Sequence, residues 1–199
     1  LMNSKKQPTG AVRGFISMIK RILKDHPNSP LAVVFDAKGK TFRHDLYVEY
    51  KATRPPMPED LVEQIEPIHK IIIALGIKLL SIGGVEADDV IGTLAKEAGE
   101  RGLNTIISSG DKDMSQLVGD HVKVVNTMSG ELLDKQGVLK KFGVKPDQII
   151  DYLSLIGDTS DNVPGVEKVG PKTAVNWLKQ YDSLEGIILN STNIAGKVG

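Results

Sequence analysis

Apolar residues recur every three or four positions over residues 12–23 and again over residues 61–75. This spacing puts them on one helical face, so both stretches are predicted to be amphipathic helices. Residues that interrupt helices bound both stretches: Pro27 and Pro30 after the first, Pro58 before the second and Gly76 after it. Pro67 lies inside the second helix and is expected to kink it.

Short apolar or β-branched runs predict strands at residues 31–35, 77–82, 105–109 and 122–126. The first run is wholly apolar, which is typical of a strand buried on both faces. Another helix is predicted at residues 90–99. Because helices and strands alternate, we expect an α/β domain with a mainly parallel sheet flanked by helices.

The last quarter of the chain predicts two helices and a connection. One helix begins at Pro146 and stops at Gly157, and another opens at Pro171. Two glycines and two lysines lie around the connection: Gly165, Lys168, Gly170 and Lys172. Such a hairpin can direct backbone N–H groups at a phosphate, although a plain connection between two helices explains these residues equally well.

Residues 37–58 lack the aliphatic stripe that would pack a helix on a core. In a helix, Arg43, Tyr47, Tyr50 and Arg54 would share one side, with Lys51 adjacent. Basic groups interleaved with aromatic rings suit single-stranded nucleic acid, whereas a solvated amphipathic helix is the alternative. We interpret the segment as an arch, and we expect its residues 38–55 to be more mobile than the sheet and to become ordered on a single strand of nucleic acid.

Acidic residues recur where predicted strands and helices end or begin: Asp36, Glu86, Asp88, Asp89, Asp111, Asp113, Asp158 and Asp161. Acids in a first helical turn also complement the helix dipole, and Asp36 by itself could equally start a turn. Carboxylates that converge repel each other unless a cation lies among them. Hard divalent cations such as Mg²⁺ or Mn²⁺ prefer oxygen ligands, so we hypothesise an acid-lined metal site.

Composition narrows the function classes. The 199 residues are 40% hydrophobic and 25% charged, as expected for one or two globular domains. No apolar run approaches the ~18 residues that span a bilayer. The absence of cysteine excludes disulfides and thiolate zinc sites, and four scattered histidines argue against a His-based metal centre or a Ser-His-Asp relay.

The formal net charge is zero, but the charges are segregated. Residues 1–60 hold 11 Lys and Arg against 6 Asp and Glu, whereas residues 61–161 hold 10 against 16. An acidic centre beside a more basic flank suits a metal site that grips a polyanion.

Several motifs together resemble one family. They are Val34-Phe35-Asp36 with Phe42-Arg43, Tyr50-Lys51 with Arg54-Pro55-Pro56, Gly84 to Asp89, Gly110 to Asp113, and Gly157-Asp158 with Asp161-Asn162 and Pro164-Gly165. In order and spacing the chain resembles the 5′-nuclease family of 5′–3′ exonucleases and flap endonucleases, found as a domain at the N-terminus of bacterial DNA polymerase I. The resemblance implies a PIN-like nuclease core over residues 1–145, including a helical arch at residues 37–58. It also implies a helix–three-turn–helix DNA-binding element over residues 146–199.

The resemblance also implies roles for the acidic residues. Two Mg²⁺ or Mn²⁺ ions would be held by Asp36, Glu86, Asp88, Asp111, Asp113, Asp158 and Asp161. The seven ligands are expected to converge on one cleft, and Asp89 would lie behind them. Lys51, Arg54 and Asp111 would be the catalytic residues, and the side chains of Lys51 and Arg54 would stabilise the charge of the transition state.

Basic and hairpin residues would bind the substrate. By resemblance, the 5′ strand is contacted at the base of the arch by Arg43, Tyr50, Lys51 and Arg54. Duplex phosphates are contacted through Gly165, Lys168, Gly170, Lys172 and Thr173, with a monovalent cation such as K⁺ bound at the hairpin.

The implied function is hydrolysis of phosphodiesters at 5′ flaps, nicks or ends of DNA and at RNA primers, during replication and repair. The implied setting is the bacterial cytoplasm, at the nucleoid, in a monomeric parent chain that also carries a polymerase domain, with no membrane partner. Family members begin with a strand ending in a further ligand Asp, and a helix carrying an Arg, before the segment that stands here as Pro8–Ala11. The sequence starts after those elements and stops where the family's domain continues, so we expect one ligand to be missing. A non-catalytic module that binds branched DNA is therefore the alternative.

Overall fold

The computed structural model describes residues 1–194 and divides into two compact units. Unit one comprises Leu1–Phe42, Pro55–Ile91 and Thr127–Ser129. Unit two comprises Arg43–Arg54, Gly92–Asn126 and the chain from Gly130 onward. Residues 195–199, the end of the predicted DNA-binding element, lie outside the described part.

The elements follow one another as an α/β chain, which confirms the predicted fold class. The helices are α1 (Gly10–Asp25), α2 (Phe42–Leu46), α3 (Glu59–Ala74), α4 (Ala87–Glu100), α5 (Lys135–Phe142), α6 (Ile149–Ile156), α7 (Pro171–Tyr181) and α8 (Leu184–Leu189). The strands are β1 (Ala32–Val34), β2 (Lys78–Leu80), β3 (Thr105–Ser108), β4 (Val122–Asn126) and β5 (Glu131–Leu133).

Unit one is built on a parallel pair of strands and two helices. β1 and β2 pair with Val33 opposite Leu79, and α1 packs on α3 around the buried Ile19 and Ile72. The start of α1 is completed from a distance. The side chain of Gln64, only 6% exposed on α3, accepts hydrogen bonds from the backbone N–H groups of Ala11 (2.8 Å) and Val12 (3.2 Å). It thereby satisfies donors that a helix start leaves without a partner.

Unit two contains a second, mixed sheet. β3 pairs with β4 in parallel, and β4 pairs with β5 in antiparallel orientation. α6 packs on α7, with Leu155 and Leu178 fully buried. This places the loops after β3 and after α6 in the same unit.

Apolar periodicity predicted α1 and α3, proline and glycine end signals predicted α6 and α7, and all four helices are confirmed. Two expectations are wrong. β1 is not buried on both faces: Ala32 is exposed and Val33 and Val34 are half-buried, because its sheet in unit one has only two strands. The arch segment is not one helix either, since α2 ends at Leu46 and successive turns follow.

Three elements had no strong sequence signal: β5, α5 and α8. α5 nevertheless has clear end signals. The side chain of Asp134 accepts the backbone N–H of Gly137 at 2.8 Å, and Gly143 ends the helix with φ 77°. The residues that end α5 on either side, Asp134 and Gly143, are recognisable in the sequence, but the helix itself lies outside the longer apolar runs.

The hairpin glycines have different environments. Gly157 ends α6 with φ 76°, and Gly165 packs so closely against it that a Cβ on Gly165 would overlap the backbone of Ile156 and Gly157. The backbone N–H of Val166 donates to the carbonyl of Leu155 at 2.8 Å. At Gly170, by contrast, a Cβ would meet nothing within 4 Å. Close packing therefore requires glycine at position 165 and not at position 170.

This difference makes a matched pair of substitutions informative. We expect Gly165→Ala to lower the free energy of unfolding by about 2–3 kcal/mol, because the new methyl group must displace backbone. Gly170→Ala should change it by no more than about 0.5 kcal/mol, since φ is −105° and the space is open. Urea unfolding of both variants measures the difference, and equal losses would contradict the steric explanation.

Candidate active site

Two pairs of acidic residues meet in unit two. Asp111 follows β3, and its carboxylate accepts the backbone N–H of Asp113 at 2.9 Å, which fixes both residues at the start of a short 3₁₀ helix. Asp158 and Asp161 lie in residues 158–162 after α6, which we call the acid loop. The carboxylate of Asp158 accepts the backbone N–H (2.8 Å) and hydroxyl (2.6 Å) of Ser160. The loop is closed by paired backbone hydrogen bonds between Asp158 and Val163.

The four carboxylates influence one another. Burial and the neighbouring charge of Asp111 raise the pKa of Asp113 to about 6, and the charges of Asp158 and Asp161 act in the same direction. The Oδ1 atom of Asp113 is buried and has no hydrogen-bond partner in the described part of the chain. A half-buried carboxyl group among like charges is therefore left without a full set of partners.

Lys112 partly neutralises this group and was not among the predicted site residues. Its Nζ lies 2.8 Å from Oδ2 of Asp158. Burial works to raise the pKa of Asp158, but the hydrogen bonds from Lys112 and Ser160 outweigh it and lower the pKa to about 2. The run Asp111-Lys112-Asp113 carried the signal, because a lysine between two clustered acids is well placed to pair with a third.

Asp161 is bound by the base of the arch segment, residues 49–54, which we call the arch base. The hydroxyl of Tyr50 donates to Oδ2 of Asp161 at 2.9 Å, and the guanidinium of Arg54 donates to Oδ1 at 2.5 Å. Lys51 Nζ lies 4.0 Å from Oδ2 and 4.8 Å from the ring centre of Tyr50. Tyr50, which the sequence placed on an open arch, is only 7% exposed. Three predicted strand-binding residues thus contact a predicted metal ligand.

The remaining acids lie in unit one at the start of α4. Asp36, two residues after β1, accepts the backbone N–H of Ala87 at 2.7 Å. Asp89 accepts the backbone N–H of Glu86 at 2.9 Å, and Glu86 is 9% exposed. Asp88 lies in the first turn of α4. Asp36 and Asp89 therefore both serve a helix start, and the convergence of all seven acids stays a prediction.

The other predicted DNA contacts are spread over α2 and the hairpin. Arg43 lies on α2, next to His44, whose ring packs edge-on against Tyr50. Lys168 has φ 63° and pairs with Glu167 at 3.2 Å. Lys172 and Thr173 lie in the first turn of α7, after Gly170.

The donor set of unit two fits a hard cation in its chemistry: four carboxylates, one with a buried unpaired oxygen. Between residues 1 and 194, however, no group of three or more acidic or histidine side chains is arranged to hold a metal as it stands. Lys112 and Arg54 occupy oxygen atoms of Asp158 and Asp161 that a metal would use. No helix among these residues is both long and apolar enough to cross a bilayer.

The fold and the acid-rich loops define the class, an α/β protein whose clustered carboxylates suit a hard cation. Residues 1–143 match the family model of the 5′–3′ exonuclease N-terminal resolvase-like domain, and residues 144–199 match that of the 5′–3′ exonuclease C-terminal SAM fold. The chain belongs to the 5′–3′ exonuclease family.

Two curated relatives illustrate the range. DNA polymerase I of Pseudomonas aeruginosa is 56% identical over 178 residues, which is 89% of this chain and 20% of the relative. A 5′–3′ exonuclease of Aquifex aeolicus is 48% identical over 190 residues, which is 96% of this chain and 66% of the relative. The chain thus spans a fifth of the first relative and about two thirds of the second.

Solved structures agree with this fold. A T5 protein co-crystallized with metal ions matches with a TM-score of 0.77 at 26% identity, covering 91% of this chain and 71% of that one. A bacteriophage T5 flap endonuclease in a pseudo-enzyme-product complex with DNA and metal ions matches with a TM-score of 0.79 at 24% identity, covering 98% and 74%.

The raised pKa of Asp113 predicts a pH-dependent stability. The folded state holds this proton more tightly than the unfolded state, so its contribution is complete below pH 3.8 and is lost as the pH rises through about 6. Asp113→Asn removes the titration. The free energy of unfolding of Asp113→Asn should exceed that of the wild type by an amount that grows from pH 4.5 to pH 8 and reaches on the order of 1 kcal/mol. Urea unfolding in EDTA measures it.

The exposed Asp147→Asn removes the same charge without burial and is the matched control. A gain for Asp113→Asn that is equal at both pH values would contradict the assignment.

Proposed function

We propose that this chain is the catalytic part of a metal-dependent 5′ nuclease that hydrolyses phosphodiesters at 5′ flaps, nicks or ends of duplex DNA and at RNA primers. The observation that carries the proposal is the direct binding of Tyr50, Lys51 and Arg54 to Asp161. It joins a phosphate-binding cation cluster to a carboxylate cluster within unit two. A hydrolytic phosphodiesterase needs both, one for the substrate and one for the activation of water.

In this proposal, two Mg²⁺ or Mn²⁺ ions bind among the acidic residues: Asp36, Glu86, Asp88, Asp111, Asp113, Asp158 and Asp161. When bound, such ions supply an activated water and neutralise charge on the leaving oxygen. The metal ions of the T5 structure support this choice of cofactor. The chain's own contribution is to hold the carboxylates together, as Asp111 does by accepting the backbone N–H of Asp113.

Lys51 and Arg54 have two roles in turn. In the absence of DNA they neutralise Asp161. When a 5′ strand enters, we propose that they bind its scissile phosphate and stabilise the charge that develops there. Tyr50 and Arg43 would contact the adjacent strand, and ordering of residues 38–55 on that strand stays a prediction.

The hairpin binds duplex DNA in this proposal. The backbone N–H groups at the start of α7, with Lys168, Lys172 and Thr173, form the phosphate contact. A K⁺ ion at the hairpin carbonyls completes it. Gly170 supplies the open approach, whereas Gly165 supports the turn from below by its packing on α6.

The setting of the activity is also a proposal. The polymerase relative suggests a monomeric bacterial parent chain with a polymerase domain, acting at the nucleoid in the cytoplasm. The non-catalytic branched-DNA-binding module is the alternative. The occupation of Asp158 and Asp161 by Lys112 and Arg54 favours it when no metal is bound.

Asp111→Ala separates the two functions. In the full-length protein this change should abolish cleavage of a 5′-flap substrate with Mg²⁺, by about 10³-fold or more, because it removes a metal ligand beside Asp113. Binding of the same substrate in EDTA should be unchanged or tighter, since a negative charge facing DNA is lost. Single-turnover cleavage and fluorescence anisotropy measure the two quantities. Normal cleavage by the variant would show that these acids are not the catalytic centre, and would favour the non-catalytic DNA-binding module.

Lys172→Ala tests the hairpin. It should weaken binding in EDTA on all DNA sequences alike and reduce the salt slope by about one unit at most, because it removes one phosphate contact. Lys179→Ala removes the same charge from the last turn of the same helix and is the matched control. Equal salt slopes for both variants would argue against a contact at the start of α7.

A further inference from the structure

Hydrogen bonds to main-chain carbonyls join the arch base to the acid loop. The backbone N–H of Lys51 donates to the carbonyl of Asp161 at 2.9 Å, and Nε of Arg54 donates to the carbonyl of Ser160 at 3.0 Å. The side-chain amide of Asn162 donates to the carbonyl of Glu49 at 2.8 Å. The junction therefore consists of three bonds to main-chain carbonyls, beside the side-chain contacts to Asp161.

Both sides of this junction have a left-handed backbone. Lys51 has φ 57° and Asn162 has φ 58°, a region that side chains other than asparagine seldom adopt. Such conformations persist where surrounding bonds over-determine them. Here the surrounding bonds are those of the junction, together with the Asp158–Val163 pairing that closes the acid loop.

Asn162 is suited to this place and to no direct part in the chemistry. Its amide is neutral, and one of its N–H groups donates to the carbonyl of Glu49 in the arch base. The residue lies next to Asp161, which receives Tyr50, Lys51 and Arg54. Through its bond to Glu49, Asn162 can influence those side chains by holding the backbone that carries them.

We propose that Asn162 is a positioning residue that docks the arch base on the acid loop. It fixes Lys51 and Arg54 in register with Asp161, so that the groups that bind the scissile phosphate and the carboxylates move as one body. The proposal rests on the proposed nuclease function. It adds a specific device, which is an asparagine that sets the distance between the cations and the acids.

The docking has a kinetic consequence. Small displacements of positioned groups lower the rate of the chemical step far more than the affinity for substrate. Most of the affinity for duplex DNA would come from the hairpin, which Asn162 does not hold. Loss of the Asn162 bond should therefore reduce kcat and leave KM nearly unchanged.

Asn162→Gly tests this inference, because glycine adopts a positive φ without strain and the change removes the side chain that donates to Glu49. In metal-free full-length protein, amide hydrogens of residues 49–54 should exchange about 5- to 10-fold faster, as expected for the loss of one hydrogen bond. Amides of β3 (Thr105–Ser108) should keep their wild-type rates. With Mg²⁺ and a 5′-flap substrate, kcat should fall about 10-fold while KM stays within about 2-fold.

Asn28→Gly is the matched control. Asn28 has φ 64° in the turn after α1, so the substitution is the same in chemistry and backbone conformation but lies in unit one. It should leave the exchange of residues 49–54 and kcat at wild-type values.

The outcomes separate the docking from the nuclease assignment. Wild-type exchange and kcat for Asn162→Gly, together with an inactive Asp111→Ala, would overturn the positioning role and leave the nuclease standing. Faster exchange throughout β3 as well would assign Asn162 to the general stability of unit two, and would also overturn it. If wild-type protein cleaves no DNA with Mg²⁺ although residues 49–54 exchange faster in Asn162→Gly, the docking holds and the proposed function fails.

Discussion

Repulsion among carboxylates is the constraint around which unit two is organised. Asp111 and Asp113 come from the end of a strand and Asp158 and Asp161 from the end of a helix, and burial together with these like charges raises the pKa of Asp113 to about 6. Nearby cations reduce this repulsion by forming ion pairs: Lys112 pairs with Asp158, and Arg54 and Lys51 pair with Asp161. Protonation of one acid, pairing with a cation and binding of a metal are competing solutions to the same electrostatic problem.

Much of the fold could be predicted because it depends on local periodicity. Apolar stripes predicted α1 and α3, proline and glycine end signals predicted α6 and α7, and short apolar or β-branched runs predicted β1 to β4. The proximity of the acids in unit two followed from their positions at the ends of elements. The bond between Tyr50 and Asp161 could not be predicted in this way, because the two residues are 111 positions apart. Nor could the left-handed backbone of Lys51, since lysine carries no preference for it.

The hairpin shows how one residue type supports two explanations. From sequence, Gly165 and Gly170 looked alike, as two glycines that let a backbone approach a phosphate. The structure separates them, because Gly165 is enclosed by the end of α6 and Gly170 is open. Glycine at the first position is a packing requirement, and only the second keeps the original interpretation. The packing of atoms around each glycine decides between a packing role and a phosphate-binding role, and this packing cannot be read from the sequence.

The bond between Gln64 and the start of α1 bears on how the chain acquires its structure during synthesis. During synthesis α1 emerges before α3, and the group that satisfies the opening N–H donors of α1 follows 53 residues after Ala11. Until α3 emerges, the first turn of α1 depends on water for those bonds and tends to fray. Vectorial synthesis therefore does not complete unit one element by element. We expect α1 to become stable only once α3 is available to pack on it.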